Sequence, residues 1–292
     1  MRTRRCLCSL LAAGMLGAAP AGAQAPRTDD ARGGWMLALG AQADEADSDS
    51  LFGTVFAAVG PRTWLTFAAG RSSSPADRAE VEASALSLGI DQRFDGVGFT
   101  LQAERWGDAG VLETEELGGS VYIDRDRWRI GVGYDARDIE IPFTVTGPLG
   151  GVQRRTADVS ADSISIDARI ALGERWQLYA ALTEHDYERD LALLPRIERL
   201  NLLSASTLTL ANSFLSRERS LAVERELGAA LLNVRVATDR SAIDGSKLDT
   251  VEAAVLFPLS RRIDLEVNLG RGRSDLFDPG LYGGVLFLFY GG

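Results

Sequence analysis

Cysteine and long hydrophobic runs are the two features that this sequence most clearly lacks. Its 292 residues contain two cysteines, Cys6 and Cys8, and none follows them. The rest of the chain therefore has no disulfide, thiolate ligand or cysteine nucleophile. No run of eighteen apolar residues occurs beyond position 25, so no transmembrane helix is predicted. A bilayer can otherwise be crossed only by a closed sheet, because every backbone donor and acceptor must be paired inside lipid.

Positive charge is also scarce. Lysine and arginine together number 31 against 41 acidic residues, so the formal net charge is −10. Three of the arginines precede a short Ala- and Gly-rich apolar stretch and the small-residue segment Ala23-Gln24-Ala25, which is typical of a secretory signal peptide. We therefore predict a signal peptide over 1–25 and one barrel domain over 26–292. Because nucleic-acid binding needs a basic surface, no nucleic-acid partner is predicted.

The remaining sequence alternates between apolar and polar residues with a period of two. One segment places Trp128, Ile130, Val132 and Tyr134 on one face and Arg129, Gly131, Gly133 and Asp135 on the other. A helix would need apolar residues at three- and four-residue spacing. The alternating segments are about ten residues or longer and are joined in turn by tight turns and by longer polar stretches, as in membrane β-barrels. A soluble sandwich or a lipocalin-like barrel is the alternative.

We therefore predict an all-β fold: a single closed antiparallel transmembrane β-barrel with short periplasmic turns and long outer loops. The segments give about fourteen strands. Twelve is the nearest alternative. The ambiguous region is 188–227, where 195–203 could form a short helix in an outer loop and 203–214 could instead belong to a strand, which would change the register. The predicted outer loops include 71–78, 107–115, 142–156 and 188–211.

All five tryptophans lie at the ends of predicted strands. They are Trp35, Trp64, Trp106, Trp128 and Trp176. An indole at headgroup level keeps its ring in an apolar environment and its N–H in water, so these residues predict aromatic girdles facing lipid. The alternative is that they belong to the core of a soluble sheet.

The last eleven residues, Tyr282-Gly283-Gly284-Val285-Leu286-Phe287-Leu288-Phe289-Tyr290-Gly291-Gly292, carry a family resemblance. The pattern of Tyr282, Gly284, Phe287 and Phe289 resembles the C-terminal assembly signal of Gram-negative outer-membrane β-barrel proteins, although such chains often end on Phe or Trp. The resemblance implies recognition by the barrel-assembly machinery, through addition of this strand to an open sheet edge. It also implies a location in the outer membrane, in contact with its lipid and lipopolysaccharide.

The polar face of the strands predicts a charged lumen of mixed sign. The residues expected to line it are Arg93, Glu104, Arg129, Asp135, Asp167, Arg169, Arg235, Asp264 and Glu266, and we also expect Glu82, Asp91, Glu224 and Glu252 inside. These side chains either select solutes by charge or form salt bridges that fill the lumen. Small barrels of eight strands are filled and those of sixteen or more enclose water, so about fourteen strands leaves both alternatives open.

Two further features suggest chemistry. His185, the only histidine, lies between Glu184 and Asp186, and a His–carboxylate pair is the minimum for a general base.

The predicted first loop is acidic, with Asp44, Glu45, Asp47 and Asp49. It could bind Ca²⁺ or bridge to lipopolysaccharide phosphates, although a solvated loop is the simpler interpretation.

We predict a passive outer-membrane barrel, either a porin-like channel or a structural membrane protein, with no cofactor, no metal site and no catalysis. A barrel hydrolase using His185 and a surface interaction protein acting through its outer loops are the alternatives.

Overall fold

The chain forms a closed barrel of fourteen antiparallel strands. The computed structural model describes residues 34–76, 79–108, 112–146, 152–189, 191, 214–275 and 279–291. The strands are β1 (Trp35–Asp44), β2 (Asp49–Gly60), β3 (Thr63–Ala76), β4 (Ala79–Arg93), β5 (Val97–Asp108), β6 (Leu112–Asp124), β7 (Trp128–Thr146), β8 (Val152–Ala171), β9 (Trp176–Tyr187), β10 (Leu215–Leu227), β11 (Ala230–Ser241), β12 (Lys247–Pro258), β13 (Ile263–Ser274) and β14 (Gly280–Gly291). The all-β class and the strand number are confirmed. The predicted signal peptide and most of 188–211 lie outside the described residues.

The first and last strands close the sheet. Each strand pairs with its neighbours in the sequence, and β1 also pairs with β14 from Trp35↔Gly291 to Asp44↔Tyr282. Closure removes the unpaired edges that an open sheet would present. In the described part of the chain, no helix has both the length and the apolar character needed to cross a bilayer.

The connections divide the barrel into two ends. The turn end carries Trp35, Gly291 and the short connections such as 94–96 and 172–175. Gly96 and Gly173 occupy these turns with φ of +82° and +86°, a backbone conformation that other residues adopt only at a cost. The loop end carries the connections 45–48, 77–78, 109–111, 147–151, 188–214, 242–246 and 275–279.

The outer surface of the barrel wall is apolar. Exposed side chains around the wall include Leu88, Leu101, Val121, Val132, Ile166, Val236 and Leu269. Charged residues on the same strands are buried on the inner face, which is the reverse of a soluble protein and suits contact with lipid hydrocarbon.

Three of the five tryptophans lie on this outer surface, and the other two do not. Trp35, Trp128 and Trp176 are exposed by 46%, 39% and 41%, as a lipid-facing girdle requires. Trp64 and Trp106 are 5% and 3% exposed and point into the lumen. The girdle prediction is therefore wrong for Trp64 and Trp106, because closeness to a turn fixes the height of a residue but not its face.

The strands continue beyond the apolar band at the loop end. β7 and β8 extend to Thr146 and from Val152, so much of the loop predicted at 142–156 is strand. Here the polarity of the two faces is reversed, since Ile139 is 2% exposed while its neighbour Asp138 is exposed. Glu82 is likewise exposed on the outer face, which corrects its predicted place inside. Water surrounds this extension, so acids face outward and apolar side chains pack inside.

Candidate functional site

The inner wall of the barrel is the candidate site. The structure places all nine sequence-predicted lumen residues on the inner, less exposed face of their strands: Arg93, Glu104, Arg129, Asp135, Asp167, Arg169, Arg235, Asp264 and Glu266. Asp91, Glu224 and Glu252 share this face. The sequence did not single out Glu116, Asp124, Arg137, Glu218 and Asp239, which the pairing register also places inside.

A compact charged group lies on β4–β7 near the turn end. The Nε of Arg93 is 3.1 Å from Oδ1 of Asp91, and the Tyr122 hydroxyl donates a hydrogen bond of 2.8 Å to the same oxygen. The guanidinium of Arg129 lies 3.6 Å from the centre of the Tyr122 ring, a cation–π contact. A Cβ at Gly98 would come within 2.2 Å of that ring, so the glycine makes room for the tyrosine.

The group continues onto β8. Asp167 interacts electrostatically with Arg129 and Arg169, and Arg169 Nη2 lies 3.1 Å from Oδ1 of Asp124. Arg129 and Arg169 are 2% and 7% exposed. These arginines are therefore packed against acids and an aromatic ring rather than extended into open water.

A second charged group lies nearer the loop end. The Nε and Nη2 of Arg137 are 2.7 and 2.6 Å from Oε2 of Glu116, and both side chains are almost fully buried. Glu104 and Asp135 lie close enough to interact electrostatically with this pair. A buried ion pair of this kind is stable only when both partners remain.

His185 belongs to this second group. Its Nε2 is 2.9 Å from Oε1 of Glu218, and its side chain is 3% exposed. Ser163 pairs with His185 across β8 and β9, but its hydroxyl donates to Asp135 at 3.1 Å. Within the described residues the hydroxyl is thus held by a carboxylate and not by the imidazole, so these residues do not form a nucleophile–base pair.

Three glutamates on β10, β12 and β13 form an acidic wall. Glu224, Glu252 and Glu266 are 2%, 8% and 1% exposed, and Glu266 interacts electrostatically with the other two. Neither carboxylate oxygen of Glu266 has a hydrogen-bond partner among the described residues. The side chain of Tyr282, on β14, hydrogen-bonds to Glu252 on β12. No arginine is on this wall apart from Arg235, so negative charge dominates this side of the lumen in the described structure.

Two apolar clusters flank the charged groups. The loop-end cluster, on β4–β8 and the ends of two loops, consists of Ala83, Trp106, Leu112, Ile139, Ile141, Val159, Leu191, Phe214 and Ile243. The turn-end cluster, on β11–β12, β14 and β1–β3, consists of Met36, Ala38, Phe52, Phe56, Trp64, Leu231, Leu256, Leu286 and Leu288. The two clusters lie on different sides of the lumen.

Buried polar side chains line the lumen at both ends. At the loop end Gln42, Ser50 and Ser72 are buried on β1–β3. At the turn end Arg129 and Arg169 are buried on β7 and β8, and Glu224, Asn233 and Glu266 are buried on β10, β11 and β13.

The acids of the first loop stabilise the loop itself. Asp44 Oδ1 accepts hydrogen bonds from the backbone N–H of Ala46 and Ser48 at 2.9 and 2.8 Å. Glu45 Oε2 accepts one from the Leu281 N–H at 2.9 Å. These bonds account for two of the four acids on which the Ca²⁺ or phosphate-bridging hypothesis rests, and that hypothesis stays a prediction.

The C-terminal strand presents two different faces. Phe287 and Phe289 point outward with ring centroids 6.4 Å apart, and Phe287 is 38% exposed. Tyr282 and Gly284 lie on the inner face. A Cβ at Gly284 would come within 2.5 Å of Gln42, so the glycine permits close packing of β14 against β1. The role of these residues in assembly stays a prediction.

Comparison with known proteins identifies the fold. No protein-family model matches the chain, and a search of curated proteins finds no match. Among solved structures, the CymD monoaromatic hydrocarbon channel matches with a TM-score of 0.50 and 10% identity, over 88% of this chain and 87% of that one. The trimer form of Vibrio cholerae OmpT matches at 0.47 and 11%, over 89% and 98%. The KdgM porin matches at 0.43 and 7%, over 86% and 98%. At such identities the likeness shows the fold alone, that of outer-membrane β-barrels.

Proposed function

We propose that the protein is a porin-like outer-membrane barrel whose narrow, acidic lumen prefers cations. The turn end would face the periplasm and the loop end the exterior, after removal of the signal peptide. The apolar outer band supports membrane insertion, because only closed barrels and helices satisfy the backbone inside lipid.

The excess of acids on the inner wall carries the cation preference. The inner-face acids of the two charged groups and the acidic wall are Asp91, Glu104, Glu116, Asp124, Asp135, Asp167, Glu218, Glu224, Asp239, Glu252, Asp264 and Glu266. The arginines on the same inner face are fewer: Arg93, Arg129, Arg137, Arg169 and Arg235. A passage lined by one sign of charge in low-dielectric walls concentrates ions of the opposite sign.

The width of the lumen restricts the proposed solutes. Arg129, Glu224 and Glu266 are at most 2% exposed, so the charged side chains pack together instead of lining a wide water-filled bore. Small cations that exchange hydration water for carboxylate oxygens suit such a lumen better than large solutes. The alternative is a barrel whose lumen is filled by its salt bridges, which would give no conductance.

We predict that the refolded protein in a planar bilayer gives discrete conductance steps and a reversal potential shifted toward the cation equilibrium potential in a KCl gradient. The triple variant Glu224→Gln, Glu252→Gln, Glu266→Gln should move the reversal potential toward zero, because it removes the acidic wall. A control with Glu115→Gln, Glu140→Gln and Asp158→Asn removes the same charge from the outer face and should keep the wild-type value. Absence of conductance, or anion preference, would contradict the proposal.

A further inference from the structure

Charged residues on the outer face of the loop end are segregated by sign. The basic rim, on β10–β13, consists of Arg217, Arg219, Arg240, Lys247, Arg271 and Arg273. Among the described residues of these strands, Asp249 is the one acid on the same face, and it pairs with Lys247. The acidic rim, on β6–β9, consists of Glu113, Glu115, Asp138, Glu140, Asp158, Asp162, Glu184 and Asp186. A chain with a net charge of −10 thus gathers six cations on four adjacent strands, facing away from the lumen.

The basic rim lies at the border of the apolar band. Arg219 is two residues from Leu221 on the same face of β10, and Arg271 is two residues from Leu269 on β13. Leu221 and Leu269 are 45% and 62% exposed, as expected for lipid contact. In the proposed membrane orientation, both guanidiniums lie at the level where the hydrocarbon of the outer leaflet meets the headgroups.

Some of the rim cations already have partners in the protein. Arg217 lies 2.6 Å from Glu184, Lys247 lies 2.7 Å from Asp249, and Arg240 donates to the Gly245 carbonyl at 3.2 Å. The side chains of Arg219 and Arg271 are exposed, and no side-chain hydrogen bond or ion pair joins either guanidinium to another described residue. Their donors are therefore available to a molecule outside the barrel.

We propose that the basic rim binds the phosphate groups of a phosphorylated glycolipid in the outer leaflet, with Arg219 and Arg271 as its principal contacts. A guanidinium donates two parallel hydrogen bonds to a phosphate, and such charge-assisted bonds are stronger than neutral ones. The exposed leucines beneath contact the acyl chains of the same lipid. The rim spans three strand spacings, about 14 Å, enough for more than one phosphate. The inference rests on the proposed membrane orientation and is independent of conductance.

The test compares phosphorylated with dephosphorylated lipid. The refolded full-length protein is titrated with lipid A in detergent, and native mass spectrometry counts the bound lipid. The double variant Arg219→Gln, Arg271→Gln should bind lipid A about tenfold more weakly. Hydrogen bonds to charged groups contribute more to the binding free energy than hydrogen bonds between neutral groups do. Lipid A stripped of its phosphates should bind weakly to wild type and variant alike.

A matched control separates this site from a general charge effect. Arg127→Gln with Arg175→Gln removes two exposed arginines from the turn end and should bind lipid A as wild type does. Heat-shifted electrophoretic mobility verifies that each variant is folded, so loss of the barrel is distinguished from loss of the site. Equal binding by the rim variant and wild type, or undiminished binding of dephosphorylated lipid, would overturn the proposal. A variant that changes oligomeric state but not lipid count would identify the rim as a contact between copies, which also overturns it.

Discussion

The variant Arg137→Ala should lower the free energy of unfolding by about 3–5 kcal/mol, because it leaves a buried carboxylate without its partner. Glu116 accepts a hydrogen bond of 2.7 Å from Nε of Arg137, whose Nη2 lies 2.6 Å from the same oxygen, and the acids Glu104 and Asp135 lie near the pair. Urea unfolding of the refolded protein in lipid vesicles, followed by tryptophan fluorescence, measures the change.

Arg105→Ala is the matched control for this prediction. Arg105 also donates to a glutamate, Glu113, at 2.8 Å, but it does so on the outer face in water. Exposed ion pairs contribute little to stability, so this variant should unfold almost as wild type does. Replacing the buried pair together, by Arg137→Met with Glu116→Gln, should recover most of the loss. If Arg137→Ala were no more destabilising than Arg105→Ala, the buried pair would not be an important part of the wall.

The double variant Phe287→Asp, Phe289→Asp should fail to assemble in the outer membrane. Both rings point outward from the strand that closes the barrel against β1. A basic residue on the lipid face costs about 2–4 kcal/mol at the midplane, and an acid or a site nearer the interface costs less, so two acids together oppose insertion. Immunoblotting of outer-membrane fractions measures the result, which we expect to be a small fraction of the wild-type level.

The control for assembly is the pair Phe287→Leu, Phe289→Leu. It retains an apolar lipid face while removing the aromatic rings, so it distinguishes lipid exposure from recognition of the aromatic pattern. Normal assembly of the leucine variant would assign the effect to the charges alone. Normal outer-membrane levels of the aspartate variant would contradict the assigned register of β14.

The sequence was sufficient for the fold because alternation specifies a face at every position. On β7 the alternation places Val132 outside and Arg129 inside, and the structure has them 48% and 2% exposed. The same rule, applied along each strand, would have placed Trp64 and Trp106 correctly. Leu65 and Phe67 occupy the outer face of β3, so Trp64 must point inward. The girdle prediction used the distance from a turn and ignored this alternation.

The loop end could not be predicted by the same rule. Alternation identifies the apolar face with lipid, yet beyond the bilayer the outer face meets water and the inner face is packed. Ile139 and Ile141 are therefore inside while Asp138 and Glu140 are outside. No single residue type marks the position along a strand where the surrounding lipid ends and water begins. This explains why the inner placement of Glu82 and the loop predicted at 142–156 were wrong. Contacts between strands that do not pair directly, such as that of Arg169 on β8 with Asp124 on β6, depend on the register and could not be predicted either.

Site-directed labelling of β7 tests most directly whether the chain is a bilayer-spanning barrel with this register. Beyond residue 8 the chain has no cysteine, so single cysteines at Val132 and Arg129 can be labelled selectively with a solvatochromic dye. Because successive side chains of a strand point to opposite faces, a register error of one residue would exchange the two environments. In lipid vesicles, a label at position 132 should report an apolar environment and be quenched by lipid-soluble agents. A label at position 129 should report a polar environment that those agents do not reach. The reverse pattern, or equal quenching at both positions, would contradict the barrel and every lumen residue assigned from it.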